Sequence, residues 1–452
     1  MSEASSASER ALQIWKAGVK AVDSEALVRE AIQITDHRLT VCGHSISLQG
    51  HENLLVVGAG KAGSGMAAGV EAALDGSLLE QRTSGWVNVP ADCVRPLSHI
   101  HLYPARPASL NEPTAEGVYG SRQILQKISS LQSDDICLVL ISGGGSALLP
   151  APLPPVTLED KQLVTRLLMS SGATIQELNC VRKQISQVKG GRLAAAATCG
   201  TLITLIISDV VGDPLDIIAS GPTVVDSSTP ADALEILRRF VFDPQQVPES
   251  VWSVLEAGQS SAPTQEVSGQ TKVINQIIGS NATALQAAKQ EAEEAGYEIV
   301  SLGSENEGTA SGTGVELAEL CLKIRDGASS VSKPACILSG GEPIVDLSST
   351  QNPGKGGRNQ EVVLAAMQRL WEEDLSGICI LSGGTDGEDG PTDAAGGILD
   401  TQILQRAHAL KIDPSLFLND HNSYPCLAQV GGLLKTGATQ TNVMDLRVAL
   451  VE

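Results

Sequence analysis

Short apolar runs and helical segments alternate along most of the 452-residue chain. The apolar runs are rich in Val, Ile and Leu and several end in glycine, which is typical of parallel strands that helices cover on both faces. The predicted strands are residues 53–60, 134–145, 200–210, 272–280, 335–342, 377–384 and 446–452. Residues 61–74, 157–186 and 281–296 have helical spacing. The pattern predicts a layered α/β protein.

The length of the chain predicts more than one domain, because a single hydrophobic core rarely grows beyond about 250–300 residues. A polar stretch with little pattern, residues 248–271, separates two sets of predicted strands. We therefore predict an N-terminal domain of residues 1–245 and a C-terminal domain of residues 246–452. One large domain with a long surface loop is the alternative.

Charge and composition narrow the classes of partner. Lys and Arg number 31 against 52 Asp and Glu, which gives a formal net charge of −21. A surface of this sign repels nucleic acid and anionic membranes, so neither is an expected partner. A small anionic substrate would therefore need a local cationic pocket.

Cysteine usage and the first residues indicate a cytoplasmic protein. The nine cysteines are scattered, mostly in apolar runs, and no C-x-x-C or Cys/His cluster is present. Reduced, buried thiols are expected rather than disulfides or zinc ligands. The first 22 residues contain no apolar segment typical of a signal peptide.

The stretch "VVGAGKAGSGM" carries a glycine loop between a predicted strand and a predicted helix. Gly58, Gly60 and Gly63 have the G-x-G-x-x-G spacing of dinucleotide-binding loops. No acidic residue is apparent where a ribose-binding carboxylate would be expected, which weighs against a nucleotide-dependent oxidoreductase. Lys61 instead adds a positive charge near a helix N-terminus, where anions are favoured.

Two further glycine loops carry hydroxyl groups and cations. The first, "LVLISGGGSALL", contributes candidate binding residues Ser142, Gly143, Gly144, Gly145 and Ser146. Acyl transfer by one of these serines is not expected, since G-x-S-x-G and a suitable histidine are both missing. The second, "ISQVKGGRLA", places Lys189 and Arg192 around two glycines and suits an anion, although an ordinary helix start explains it equally well.

Other polar groups follow predicted strands. Asp209 and Asp213 follow the run "TLITLII", a position suited to Mg²⁺ or proton transfer, with a structural turn as the alternative. In "NPGKGGRNQE", Arg358 can grip a carboxylate or phosphate with two hydrogen bonds, and Asn359 lies beside it.

The most acidic loop is "GGTDGEDGPTDAAGG". Its spacing does not match an EF-hand, so we do not predict a calcium site. We expect Asp386 and Asp393 to hold Mg²⁺ or to orient a hydroxyl group of the substrate. Glu388 and Asp389 are expected to be solvated.

Taken in order, "GAGKA", "SGGGSALL", "KGGRLA", "SDVVGDPLDIIASGPT", "GGRNQE" and "GGTDGEDGPTDAAGG" resemble the class II glycerate kinases, whose C-terminal module is named MOFRL. The resemblance runs from about residue 10 to the C-terminus. No Walker A motif is present, so a P-loop kinase is excluded. The H-P-x-P-D element of many family members is missing from residues 103–117.

The resemblance implies phosphorylation of D-glycerate by ATP with Mg²⁺, in a cleft between a Rossmann-like N-terminal domain with a parallel sheet and a smaller α/β C-terminal domain. It implies 2-phosphoglycerate as the product, with 3-phosphoglycerate as the alternative. Lys61 and Arg358 match the essential basic residues of the family. We expect them to clamp the γ-phosphoryl group and the glycerate carboxylate, helped by Lys189 and Arg192, in a cytoplasmic monomer or homodimer. A non-catalytic sensor of sugar acids is a further alternative.

Overall fold

The computed structural model describes residues 6–107, 110, 112–259, 271–348, 350 and 352–452. The helices are α1 Ala7–Lys20, α2 Ser24–Ala31, α3 Gly63–Leu74, α4 Ala115–Ile128, α5 Gly145–Leu148, α6 Leu158–Ser170, α7 Ile175–Gln184, α8 Arg192–Ala195, α9 Pro230–Phe240, α10 Glu249–Ala257, α11 Asn281–Glu294, α12 Ala310–Arg325, α13 Arg358–Arg369, α14 Thr401–Ala409, α15 Pro414–Asn419 and α16 Ser423–Val430. None of these helices, all within the described residues, is both long and apolar enough to cross a bilayer.

The strands are β1 Ile32–Thr35, β2 Arg38–Val41, β3 His44–Ser47, β4 Leu54–Ala59, β5 Thr83–Pro90, β6 Ile100–Arg106, β7 Ile136–Ile141, β8 Thr201–Ile207, β9 Lys272–Gly279, β10 Glu298–Ser301, β11 Ala335–Gly341, β12 Ile378–Gly384, β13 Gly396–Leu399, β14 Leu433–Leu434 and β15 Asp445–Val451. The chain forms two compact units. The first unit is Ser24–Ile278, and the second combines the residues up to Asp23 with Gly279–Glu452.

The first unit contains a six-stranded sheet in the order β6-β5-β4-β7-β8-β9. Neighbouring strands from β6 to β8 pair in parallel, as the continuous apolar runs predict. Every residue of β4 and β7 is buried, and Val57, Val139 and Leu202 belong to one core cluster. A separate antiparallel sheet, β1-β2-β3, precedes β4 in the chain.

The second unit contains a mixed sheet in the order β10-β11-β15-β12-β13-β14. The prediction of parallel strands was wrong for β15, which runs antiparallel to both of its neighbours, β11 and β12. All three strands are completely buried. Their apolar runs therefore indicate that both faces of the sheet are covered, but they do not indicate whether the strands run parallel or antiparallel.

The two units do not divide at the predicted boundary near residue 245. Strand β9 joins the sheet of the first unit and therefore places the division after Ile278. Helix α1 belongs to the second unit because Ile14 and Trp15 share a core cluster with Leu381. The polar stretch taken as a linker includes α10, and its residues 260–270 lie outside the described part of the chain.

The helical region predicted over residues 157–186 is two helices. Gly172 adopts a φ of +80° in the turn that ends α6, a conformation that side chains other than glycine seldom adopt. Thr174 then caps α7 by accepting a hydrogen bond from the Glu177 amide, and the Glu177 side chain accepts one from Thr174. The break separates two buried or half-buried cations, Lys161 on α6 and Arg182 on α7.

Candidate active site

Two glycine loops of the first unit are joined where the neighbouring strands β4 and β7 end. The Lys61 amide donates to the Gly143 carbonyl at 2.8 Å, and the Ala62 amide donates to Ser142 Oγ at 3.0 Å. Parallel pairing of Ala59 with Ile141 places both loops at one sheet edge, as expected for ligand-binding loops in an α/β protein. The structure therefore brings Lys61 and the predicted serine-glycine loop together.

Gly58 and Gly60 have structural reasons to be glycine. A methyl group at Gly58 would overlap the Leu140 carbonyl, and one at Gly60 would overlap Ser142 Oγ. Close approach of β4 to β7 therefore requires both glycines without any ligand. Ser142 is buried and accepts the Ala62 hydrogen bond, so its hydroxyl group also holds the loops together. Nucleotide binding by these three residues stays a prediction.

Gly144 lies close to the side chains of two basic residues. It has a φ of +74°, and a methyl group added there would lie 3.5 Å from Lys61 Cγ and 3.6 Å from Arg106 Nη2. Arg106, at the end of β6, was missed in the sequence because it stands in a predicted loop without a recognised motif. A backbone with no side chain, close to two basic side chains, is suited to close approach by a phosphate or carboxylate.

Lys189 lies deep beside Ser146. Its Nζ donates to Ser146 Oγ at 2.6 Å and to the Ala219 carbonyl at 3.2 Å. Burial, together with the positive charges of Arg182, Lys161 and Lys183, holds the pKa of Lys189 well below its ordinary value. Lys189 therefore contacts the serine of the glycine loop that follows β7, and its role in anion binding stays a prediction.

Arg192 does not lie with Lys189 as a second anion-binding group. Its Nη1 donates to the Lys183 carbonyl at 2.8 Å, and its Nη2 donates to Gln184 Oε1 at 3.0 Å. The guanidinium group thus satisfies groups at the C-terminus of α7, where cations and donors are favoured. The structure supports the ordinary structural interpretation of this arginine.

Asp209 and Asp213 follow β8, as predicted, and both are half-buried. Asp213 has a φ of +54°, a backbone conformation that is uncommon outside glycine. Neither carboxylate belongs to a group of three possible metal ligands within the described residues. Their role in metal binding or proton transfer stays a prediction.

In the second unit, Asp445 lies between the glycine-containing ends of two strands. Strand β15 begins at Asp445, which pairs with Gly341 of β11 on one side and with Gly384 of β12 on the other. Arg447, two residues further along β15, donates to Ser339 Oγ at 3.2 Å and is 1% exposed. Asp445 and Arg447 were missed, although polar residues two apart in an otherwise apolar strand indicate a shared functional face.

Arg358 is bound by two carboxylates. Its Nε and Nη2 donate to the two oxygens of Asp445 at 2.7 and 3.0 Å, and its Nη1 donates to Glu342 Oε1 at 2.7 Å. Burial alone would lower the pKa of Arg358, but Asp445 and Glu342 raise it above its ordinary value. The arginine predicted to grip a substrate carboxylate thus already grips two carboxylates of its own unit.

The expectation that Asp389 is solvated was wrong. Asp389 is 3% exposed and accepts hydrogen bonds from the amides of Asn359 at 3.0 Å and Gln360 at 2.8 Å. It therefore satisfies unpaired amides at the N-terminus of α13. Asn359 is fully buried, accepts from Ser382 and donates to Asp445, so it braces the same assembly.

Comparison with known proteins shows the family of this chain. The family model of the domain of unknown function DUF4147 matches residues 10–256, and the MOFRL family model matches residues 335–445. The chain is 38% identical to a glycerate kinase of Homo sapiens over 97% of this chain and 92% of that protein. The chain belongs to the glycerate kinase family.

Two further relatives and one solved structure are also similar to this chain over most of its length. It is 36% identical to a glycerate 2-kinase of Pyrococcus horikoshii, over 98% of this chain and 97% of that protein. It is also 40% identical to a putative hydroxypyruvate reductase of Agrobacterium vitis, over 88% and 87% of the two chains. A crystal structure of a glycerate kinase from Thermotoga maritima matches with a TM-score of 0.83 and 32% identity, over 98% of this chain and 99% of that one.

The two predicted Mg²⁺ ligands, Asp393 and Asp386, have different surroundings. Asp393 is exposed and accepts from Tyr424 at 2.6 Å and from Lys435 at 2.8 Å, and these two hydrogen bonds lower its pKa to about 2. The described residues contain no group of three possible metal-ligating side chains. Asp386 is half-buried, and its negative charge contributes to the raised pKa of Glu342, after burial and Asp445.

Proposed function

We propose that this chain phosphorylates D-glycerate with ATP and releases 2-phosphoglycerate. The observation that carries the proposal is the arrangement around Gly144, where the side chains of Lys61 and Arg106 both lie close to a backbone that has no side chain. Phosphoryl transfer needs cations along the transferred group and close positioning more than it needs covalent chemistry. Family membership and the name of the Pyrococcus relative support the substrate and the position of phosphorylation.

In this proposal, Lys61 binds the transferred phosphoryl group and stabilises its negative charge. Arg106, whose Nη2 would lie 3.6 Å from a methyl group at Gly144, assists it. The backbone of Gly143, Gly144 and Gly145 allows the phosphate oxygens to approach closely. We place ATP in this loop because a nucleotide carries the largest negative charge among the reactants, and the loop lies at the carboxyl ends of β4 and β7.

The assembly around Arg358 would supply carboxylates to the same reaction. Arg358 holds Glu342 and Asp445, and Asp386 lies close enough to influence Glu342. We propose that Asp386 accepts the proton of the attacking glycerate hydroxyl group or faces Mg²⁺, and that Arg358 acts by positioning these carboxylates. Mg²⁺, when bound with the nucleotide, would neutralise phosphate charge. It commonly needs only one or two protein carboxylates.

Asp393 is a weaker candidate for the metal than Asp386. Each of its two oxygens already accepts a hydrogen bond, one from Tyr424 and one from Lys435. Asp386 Oδ1 also accepts a hydrogen bond, from the Glu388 amide at 3.0 Å, but its negative charge adds to that around Glu342, which favours a cation there. If the activity of Asp393→Asn depends on Mg²⁺ as in wild type and that of Asp386→Asn does not, the result would support Asp386 as the metal ligand.

A reductase acting on hydroxy acids is the second candidate function. The Agrobacterium relative is named for such an activity, and Gly58, Gly60 and Gly63 have dinucleotide spacing. The structure adds Asp92, an exposed acid just after β5, the strand beside β4. An acid after that strand is where a ribose-binding carboxylate is expected, so the sequence argument that no such residue is present does not hold.

One experiment separates the two functions. Purified full-length protein is incubated with D-glycerate, ATP and Mg²⁺, and ADP release is measured. In parallel, hydroxypyruvate and NADH are supplied and NADH oxidation is measured. The kinase proposal predicts ADP release that requires D-glycerate, with no NADH oxidation above the protein-free rate. NADH oxidation without D-glycerate-dependent ADP release would replace the kinase by the reductase.

A further inference from the structure

Two cations of the first unit contact one half-buried hydroxyl group, and a third cation is close enough to influence them. Ser146 Oγ accepts from Arg182 Nη2 at 2.5 Å and from Lys189 Nζ at 2.6 Å. Lys161, on α6, lies close enough that its positive charge lowers the pKa of Lys189, and Arg182 in turn lowers that of Lys161. These cations come from two helices and the loop before α8, all within the first unit.

No described carboxylate neutralises this cluster. Lys161, Arg182 and Lys189 form no ion pair among the described residues, and the hydrogen bonds of Arg182 and Lys189 go only to hydroxyl, amide or carbonyl oxygens. The neighbouring Lys183 differs, because Asp226 and Asp216 lie 3.3 and 3.5 Å from its Nζ. Packing like charges together without counter-ions is unfavourable, especially in a protein with 52 acidic residues available to neutralise them.

Lys161 provides an independent observation. The residue is 3% exposed, and its Nζ has no hydrogen-bond partner. A lysine amine that is buried without a hydrogen-bond partner is unfavourable in either protonation state, so its presence needs an explanation other than packing. Methionine or leucine would fill the same space at a lower cost.

We propose that Lys161, Arg182 and Lys189 form a binding site for a compact oxyanion group, a carboxylate or a phosphate. Arg182 is half-buried and uses two of its nitrogens in the contacts with Ser146 and Asn179, which leaves further N–H groups for a ligand. Lys189 and Lys161 supply further N–H donors, and positive charge when they are protonated. Ser146, which Arg182 and Lys189 both contact, is half-buried.

The identity of the oxyanion rests on the proposed function. If the chain binds D-glycerate and ATP, the group is either the glycerate carboxylate or a phosphate of the nucleotide. Both are planar or tetrahedral oxyanions that a guanidinium group binds with two hydrogen bonds. Glycerate carries a carboxylate and no phosphate, whereas ADP carries phosphates and no carboxylate. Separate titrations therefore distinguish the two sources.

Binding to the full-length chain tests the site without catalysis. D-glycerate, ADP and inorganic phosphate are titrated separately by calorimetry into wild type, Arg182→Gln and Lys161→Met. Arg166→Gln is the matched control, because Arg166 is an exposed residue of the same helix α6. We expect Arg182→Gln and Lys161→Met to weaken binding of at least one ligand by about tenfold or more, and Arg166→Gln by less than about twofold.

Thermal unfolding without ligand separates a binding role from a structural one. Lys161→Met should raise the Tm by about 2–4 °C, since it removes a buried charge that has no partner. Loss of D-glycerate affinity alone assigns the carboxylate, and loss of ADP or phosphate affinity assigns a phosphate. Wild-type affinities in both variants, or no binding of any of the three ligands to wild type, would overturn the proposal. Retained, variant-sensitive binding in a chain that releases no ADP would refute the kinase proposal alone.

Discussion

Arg358 and Asp445 form a bidentate ion pair, with Nε to Oδ2 at 2.7 Å and Nη2 to Oδ1 at 3.0 Å. The carboxylate is completely buried, whereas the side chain of Arg358 is 33% exposed. The pair therefore neutralises a charge at the point where β15 enters between two glycine-ended strands. This relationship changes what a substitution of Arg358 measures, because stability and activity respond together.

Replacing Arg358 should destabilise the protein and also lower its kcat/KM. Arg358→Gln removes the bidentate partner of buried Asp445 and leaves it the longer ion pair with Arg447, at 4.0 Å, so it should cost about 3 kcal/mol, the lower end for a broken buried pair. Adding Asp445→Asn removes the carboxylate that lost its bidentate partner but also the acid that faces buried Arg447, so the double variant should recover only part of that loss. Urea unfolding measures both changes, and kcat/KM should stay lowered about 100-fold in the double variant.

The control for this comparison lies on the same helix. Arg369 has a 35% exposed side chain and pairs with the partly exposed Glu319 and Glu373. Arg369→Gln should cost less than about 1 kcal/mol and leave kcat/KM near wild type. If the double variant recovers activity together with stability, Arg358 serves the fold alone.

A single methyl group should test the arrangement around Gly144. Gly144→Ala adds backbone strain of about 1 kcal/mol at a φ of +74° and places a methyl group beside Lys61 and Arg106. Gly76→Ala adds comparable strain at a φ of +70°, with nothing within 4 Å of the methyl position. Both variants should have similar Tm values, but Gly144→Ala should lower kcat/KM about tenfold or more in the ADP-release assay. Equal activity in the two would remove Gly144 from the site.

Asp389 should make stability depend on pH near neutrality. Burial raises its pKa from 3.8 to about 7, so between these values the folded state holds a proton that the unfolded state has lost. The contribution of this group to stability is therefore present at low pH and is lost as pH rises through about 7. Asp389→Asn should be more destabilising relative to wild type at pH 6 than at pH 8, by urea unfolding.

Asp393→Asn provides the matched comparison in the same loop. Its pKa of about 2 means that it stays ionised at both pH 6 and pH 8. The stability difference between Asp393→Asn and wild type should therefore be the same at both values. A difference for Asp389→Asn that is also independent of pH would show that Asp389 is ionised throughout this range.

The cation cluster should bind anions more weakly as pH rises. Burial and the charges of Arg182 and Arg192 lower the pKa of Lys161 to about 7, and Lys189 is lowered as well. A bound anion favours the protonated lysines, so affinity should be greatest below about pH 7 and fall above it. Inorganic sulfate is a suitable probe because its charge is constant from pH 6 to 9. Its affinity should decrease over this range in wild type and decrease less in Lys161→Arg.

Apolar periodicity was sufficient to predict much of the fold. Buried strands such as β4, β7 and β12 are continuous Val, Ile and Leu runs that end in glycine, so their positions follow from the sequence. Strand direction does not follow in the same way. Strands covered on both faces carry the same apolar pattern whether they run parallel or antiparallel, which explains the error at β15.

The glycine loops were found in the sequence, but the partners of their polar residues were not. Lys61 and Gly144 belong to recognisable loops, whereas Arg106 reaches them from a strand end without a motif. Arg358 was recognised as important, yet its pairing with Asp445 depends on contact between residues 87 positions apart. Contacts of this kind are set by sheet order, which local pattern does not encode.

The central claim is transfer of a phosphoryl group from ATP to D-glycerate at the Lys61 loop. It is tested most directly by phosphorus NMR of a reaction of the full-length chain with ATP, Mg²⁺ and D-glycerate, run beside Lys61→Ala and the control Lys127→Ala. We predict equimolar ADP and 2-phosphoglycerate from wild type and Lys127→Ala, and at least about 100-fold less product per unit time from Lys61→Ala. Product formation by Lys61→Ala at the wild-type rate, or no phosphoglycerate from wild type, would contradict the account.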